Sequence, residues 1–305
     1  MHTHHHDHIE KLSKNLIIAI LLNAVIVIGE IAGGIIGNSL ALLSDALHNL
    51  GDLLALILSL VASKMALKKA NSKSSFGYIR SEIIVSFINS SALLLIGVYI
   101  IVEGFVRIQE PQEVHGTLLI IVAGISFFAN AYSSYLLHSQ SKKDLNAKSS
   151  YLHLMYDAVH SLAIVVVGVL ILFFNWTIFD ALSSIIIGLL MIKSSWSVIT
   201  ESANILNEGT PKEINHDEVQ KYLESFPEIK GIHHLHIWKL SSTFIALSVH
   251  ITVQDQMVSQ AYLIIDKIEK ALEEKFGINH PTVQLEAEFV NCNGKPLKIE
   301  FDNGD

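Results

Sequence analysis

Six stretches of the chain, 15–36, 40–63, 80–103, 116–137, 150–174 and 177–199, are apolar over lengths that match a lipid bilayer. A helix crosses a hydrocarbon core of about 30 Å in about 20 residues, and backbone amides in lipid find no water to bond, so such runs fold as helices. Composition agrees. Half of the 305 residues are hydrophobic and 16% are charged, and the mean hydropathy is +0.44, too apolar for an ordinary soluble domain of this length. The first run is too long for a cleavable signal peptide, lacks a small-residue cleavage site and leads straight into a second span. Six spans return both termini to one face. Lys64, Lys68, Lys69, Lys73 and Arg80 flank the second connection, and Lys142, Lys143 and Lys148 fill the fourth, whereas the opposite connections offer little beyond Arg107. Because Lys and Arg accumulate on the cytosolic side, both termini are expected there.

After Glu208-Gly209-Thr210-Pro211 the apolar runs shorten and charge rises, which marks a boundary. The pattern divides the chain into a His-rich tail (1–14), a six-helix transmembrane domain (15–208) and a cytosolic domain (209–305). In the last of these, 216–226 and 259–276 read as helices, and 231–240, 244–253 and 282–290 as strands. Ile264, Ile265, Ile268, Leu272 and Phe276 share one side of the second helix. Ile245, Leu247, Val249, Ile251 and Val253 share one face of the middle strand, and His250 points to the other. The order αββαβ predicts an α+β domain, ferredoxin-like or metallochaperone-like, with helices on one face of a small sheet. A net charge of −8, with acidic residues gathered in the last third, argues against nucleic acid as a partner. Cys292 is the only cysteine, so no internal disulfide forms and a reducing compartment suits the soluble part.

The chemistry lies in what interrupts the spans. The second contains Asp45, His48 and Asp52, and the fifth contains His153, Asp157 and His160. Each holds a His followed four residues later by an Asp, a spacing that puts both side chains on one helix face about 6 Å apart. Two such helices facing each other offer two imidazole nitrogens and two carboxylates, a set that suits tetrahedral Zn2+ and neutralises its charge. An ionisable residue within a span costs about 2.5–3.5 kcal/mol on insertion scales, so a duplicated pair points to function over incidental helix packing. Asp45 and His160 lie one turn beyond the pairs and are expected to orient a ligand or relay protons. Asn23 and Glu30 in the first span, and Asp180 at the start of the sixth, are expected to pack or to line a cavity. Five His among the first eight residues read as a tail that gathers metal without fixed geometry.

These residues also carry a family resemblance. The run from Asn38 to Asp52 resembles the second-helix signature of cation diffusion facilitators. Phe76-Gly77-Tyr78-Ile79-Arg80-Ser81-Glu82, His153 to Asp157 and His233-His234-Leu235-His236-Ile237-Trp238 match that family's pattern in order, so the resemblance covers nearly the whole chain. It implies a homodimer in the bilayer that exports divalent metal in exchange for protons, with His48, Asp52, His153 and Asp157 as the transport site. His at the first position resembles zinc-preferring members, with Co2+, Cd2+, Fe2+ or Mn2+ as further cargoes. The short 141–148 connection resembles the bacterial branch and so implies an inner-membrane location.

The last domain offers a second constellation of His233, His234, His236, His250, His280, Glu286 and Cys292. His233 and His250 are placed to meet across the expected hairpin, with Glu286 near them on the last strand. The resemblance assigns cytosolic zinc ligands at His233, His250 and Glu286, with His280 or Cys292 as weaker candidates. Tyr262 stands where some bacterial members carry another His. Zinc binds neutral imidazole and ionised carboxylate, so metal and protons compete for the same groups and antiport follows. No covalent bond is made or broken, and no enzyme is implied. An intramembrane zinc hydrolase would need a general base and an open coordination position, and no His-Glu-x-x-His run occurs. A membrane-anchored metal sensor would not place ligands twice in lipid.

Overall fold

Bilayer-length apolar runs become helices in the computed structural model, which describes residues 21–66, 68, 70–142 and 145–287. The His-rich start, residues 15–20 of the first span, Lys69, Lys143, residues 288–290 and Cys292 lie outside the described residues. Helix α1 covers Leu21–Ile36. It is followed by α2 (Leu40–Ala66), α3 (Ser81–Gln109), α4 (Gly116–Ser141), α5 (Leu145–Phe174) and α6 (Ile178–Leu206). Among the described residues, α2 to α6 are long and apolar enough to cross a membrane, and α1 is a shorter apolar helix. Several helices outrun the apolar windows, because polarity ends a hydropathy run without ending the backbone ladder. Past residue 103, α3 continues to Gln109, with Arg107 Nε 3.1 Å from Glu103 Oε1 one turn back, an i,i+4 pair that supports the extra turns.

The chain forms two compact units, one within Met1–Lys69 and Ile84–Thr200 and the other within Ala70–Ile83 and Glu201–Asp305. In the first, Leu42, Ile100, Leu119, Ile164, Ile187 and Met191 belong to one buried cluster. In lipid the helices gain little from apolar burial as such, so close backbone approach matters more. Gly97 of α3 and Gly188 of α6 meet at such a point, where a Cβ on either would stand 3.0 Å from the other's carbonyl oxygen. Of the spans, α2 is the most enclosed, with 44% of its window buried against 22% in α3.

A single acidic side chain fixes where α2 begins. Its first turn has backbone N–H groups with no intrahelical partner. Asp180, from the first turn of α6, accepts from Leu40 N at 2.8 Å, Ala41 N at 3.3 Å and Ser39 Oγ at 2.5 Å, while Ser39 Oγ accepts from Leu42 N at 3.1 Å. Arg107 donates to the Asn38 carbonyl at 2.8 Å and lies 4.0 Å from Asp180. Asp180 is only 1% exposed and is therefore a helix cap supplied from another helix, a more specific role than packing.

The second unit contains α7 (His216–Glu224), β1 (Ile229–Lys239), β2 (Ile245–Val253), α8 (Val258–Phe276) and β3 (His280–Ala287), in the expected αββαβ order. The Asn215 side chain caps α7, and Gly277 ends α8 in the left-handed conformation at φ 67°, as such termini favour. In the sheet, of order β1-β2-β3, β1 runs antiparallel and β3 parallel to the central β2. The parallel pair requires a crossover, which α8 provides. On β2, Ile245, Leu247, Val249, Ile251 and Val253 are buried in one core with Val219 and Leu223 of α7 and Ile268 and Leu272 of α8. His250 is half-buried on the opposite face. The 70–83 segment joins this unit through Phe76 edge-on to His280, Arg80 bonded to Glu208 at 2.8 Å and Glu82 accepting from Ser242 Oγ at 3.3 Å.

Candidate metal-binding sites

Helical spacing brings each His and Asp of the membrane unit together as expected. His48 Nε2 is 3.6 Å from Asp52 Oδ2, and His153 Nε2 is 3.6 Å from Asp157 Oδ2. Tertiary packing joins the two pairs, because His153 Nε2 is also 3.5 Å from Asp52 Oδ2. With bonds of about 2.0–2.1 Å, neighbouring donors around a tetrahedral zinc stand about 3.3–3.4 Å apart. The observed spacings need only a few tenths of an ångström of adjustment. Asp52 Oδ2 and Asp157 Oδ2 are buried without a hydrogen-bond partner, a costly state for a carboxylate that a cation would relieve.

Around these four residues the helices place further polar groups. The His160 ring lies 6.3 Å from that of His48. Asp45 is 1% exposed, with neither oxygen partnered. Glu30, from α1, is fully buried and accepts from Asn49 Nδ2 at 3.0 Å. It thus binds the residue next to His48, a link across helices that sequence spacing does not reveal. Two cavities adjoin the site. One, of about 240 Å³, is lined by Asp52 together with Ser86, Asn89, Ser90 and Ser195, and the other, of about 630 Å³, by His48, Tyr156, His160 and Lys193. Both reach Ser194, so water-sized space borders these residues on two sides.

In the soluble unit, strand register does what helix spacing does in the bundle. His233 of β1 pairs directly with His250 of β2, and Glu286 stands on β3 beside Thr252, two residues along from His250. One Glu286 oxygen lies 2.8 Å from His250 Nδ1 and the other 3.2 Å from His233 Nε2. These three residues offer donors all within 4.8 Å of one another. His280 is not brought to them. It pairs with Ala246 at the opposite end of β3, between Phe76 and Phe244, and six strand residues from Glu286 amount to about 20 Å. Tyr262 is exposed on α8, which packs its buried side on the other face of the sheet, and Cys292 lies outside the described residues.

Spans that converge two imidazoles and two carboxylates, carried with a soluble α+β domain, define a polytopic membrane protein of the metal-transporter class. The chain belongs to the cation efflux family: residues 16–207 match its cation efflux transmembrane domain and residues 211–288 its cytoplasmic domain. It is similar to a cadmium, cobalt and zinc/H(+)-K(+) antiporter of Bacillus subtilis, 39% identical over 94% of this chain and 93% of that protein. It is also similar to the metal cation efflux system protein CzcD of Cupriavidus metallidurans, 34% identical over 93% of this chain and 89% of that one. The zinc transporter ZitB of Pectobacterium atrosepticum is 34% identical over 98% of this chain and 93% of its own length. The protein is therefore an integral membrane cation efflux transporter and not an enzyme.

Proposed function

We propose that this protein exports zinc from the cytosol in exchange for protons, with His48, Asp52, His153 and Asp157 as the transport site. The observation that carries the reading is Asp52 Oδ2, within 3.6 Å of an imidazole nitrogen from each helix and without a hydrogen-bond partner. Two carboxylates and two imidazoles match the charge and donor preference of zinc, and the relatives' names extend the cargo to cadmium and cobalt. Loading requires deprotonated ligands, so proton uptake on the far side releases the metal. The cavity beside Asp52 is lined by Val85, Ser86, Asn89, Ser90 and Leu93 of α3 and by Ser194, Ser195 and Val198 of α6, in the half of the bundle where α2 ends and α3 begins. The distribution of Lys and Arg in the loops supports a cytosolic position for that half and for both termini, and the short 141–148 connection supports a bacterial inner membrane.

Functionally, residues 1–14 gather metal, 15–208 conduct it, and 209–305 sense cytosolic zinc at His233, His250 and Glu286 in a homodimer. In vesicles with the cytosolic face outward, an acidic lumen drives zinc inward, and the lumen becomes more alkaline as zinc enters. The double substitution Asp52→Asn and Asp157→Asn removes two anionic ligands at constant size and eliminates both fluxes together. Simultaneous zinc and pH recording is the test. Zinc entry with an unchanged lumenal pH, after correction for leak, would establish a uniporter or channel instead.

A further inference from the structure

Regular alternation along β1 would send His233 and Leu235 to one face of the sheet and His234 and His236 to the other. That is not the arrangement observed. His233 pairs with His250 and His236 with Ser248, so His234 and Leu235 together oppose the single residue Val249. This is a β-bulge, a feature that re-aims side chains beside functional sites. Leu235 packs against the hydrophobic core, while the extra residue, His234, joins His233 and His250 on the opposite face. The backbone of His234 is left-handed, at φ 51°, a conformation unfavourable for a residue with a Cβ and one that clusters at functional sites.

The three rings form a near-equilateral triangle. Their centroids are separated by 5.1 Å for His233 and His250, 5.3 Å for His233 and His234, and 5.1 Å for His234 and His250, with interplanar angles of 60°, 63° and 61°. When three imidazoles share one tetrahedral zinc, a bond of about 2.05 Å plus about 1.1 Å from nitrogen to ring centre sets each centroid about 3.2 Å from the metal, and hence about 5.2 Å from its neighbours. The carboxylate of Glu286 already contacts two of these rings. His234 is exposed and stands outside the three residues whose donors already lie within 4.8 Å of one another, so it would join them by side-chain rotation.

From this geometry we infer that His234 is the fourth ligand, completing a three-histidine, one-carboxylate zinc site with His233, His250 and Glu286. The inference rests on reading that triad as a metal site. The bulge then exists to place two sequence neighbours on one metal, and its strain is offset when the metal binds.

The test uses the full chain in detergent, with His2, His4, His5, His6 and His8 changed to Ser and with His153→Ala and Asp157→Asn, so that the tail and the membrane cluster do not report. Cobalt serves as the spectroscopic probe and zinc as its competitor. The background protein should show the intense visible absorption of tetrahedral cobalt, and His250→Ala should lose it. His234→Gly should weaken cobalt and zinc binding roughly 100-fold, the share of one ligand in a four-ligand zinc affinity, and reduce the band to that of a higher-coordinate site. Since glycine accepts positive φ without strain, the same variant should melt no lower than the background without metal, which separates ligand loss from misfolding. Unchanged affinity and spectrum in His234→Gly, with the signal still lost in His250→Ala, would overturn the role of His234 alone. A background protein without the cobalt band, or a band that survives His250→Ala, would overturn the triad as a metal site and the inference with it.

Discussion

At His48 a single donor atom bears on which metal crosses the membrane. Imidazole supplies one nitrogen, whereas a carboxylate can bind through two oxygens and accepts larger, variable coordination. His48→Asp is expected to lower the preference for zinc over cadmium, read as the ratio of transport rates at matched protein levels. An unchanged ratio would remove His48 from selectivity. Asp180 acts through the backbone instead. Asp180→Ala strips the acceptor from Leu40 N, Ala41 N and Ser39 Oγ and leaves the Arg107 charge beside an apolar gap. The expected loss is about 2 kcal/mol or more of stability, accompanied by weaker zinc binding as the start of α2 frays. Asp180→Asn keeps one acceptor oxygen and should lose less, and thermal melts of the three proteins in detergent decide the order. Aspartate at the head of a span is visible in the sequence. That its oxygens cap a different helix, 139 to 141 residues away, is not, because capping across helices leaves no fixed spacing.

Among the elements, β1 shows how one ion pair ties a strand end to a loop. Lys239 is buried at the end of β1 and pairs with Glu213, which is about half exposed. The hydrogen bond from Lys239 holds the Glu213 carboxyl below its usual value of 4.5, and the ammonium charge adds to the effect. A carboxylate with a depressed folded-state pKa contributes stability above pH 4.5, and that contribution is lost as pH falls through the folded value. Glu213→Gln should therefore lower stability near pH 7 by under about 1 kcal/mol, since one partner is solvent-screened. The difference from the parent should vanish in acid. Unfolding of the sheet, followed through Trp238 with Trp176 and Trp196 changed to Phe, reports the result; an equal difference at every pH would exclude the ion pair as its cause.

For the whole molecule, the two candidate metal clusters stand in separate compact units, one among helices, where Asp157 is buried and His153 exposed, and one on a sheet face. If one conducts and the other senses, their loss has different kinetic consequences. His250→Ala should raise the zinc concentration needed for half-maximal transport several-fold while sparing the maximal rate and the proton coupling. Asp157→Ala should abolish flux. A folded, dimeric His250→Ala protein with no transport at all would show that the soluble cluster is part of the conducting path.

The sequence by itself determined the elements and the donors. Lipid forbids unsatisfied backbone, so long apolar runs had to be helices, and the four-residue spacing of His48 with Asp52 and of His153 with Asp157 already put each pair on one face. Alternation along 245–253 likewise separates the core residues from His250. Only the tertiary structure decided that Asp52 would lie against His153, that Glu30 would meet Asn49, that His280 would lie at the far end of β3 from Glu286, and that a bulge would turn His234 toward His250. Local periodicity fixes the face a side chain takes within its own element. Which faces meet, and where a strand gains an extra residue, depends on contacts between residues distant in the chain, and those have no period to read.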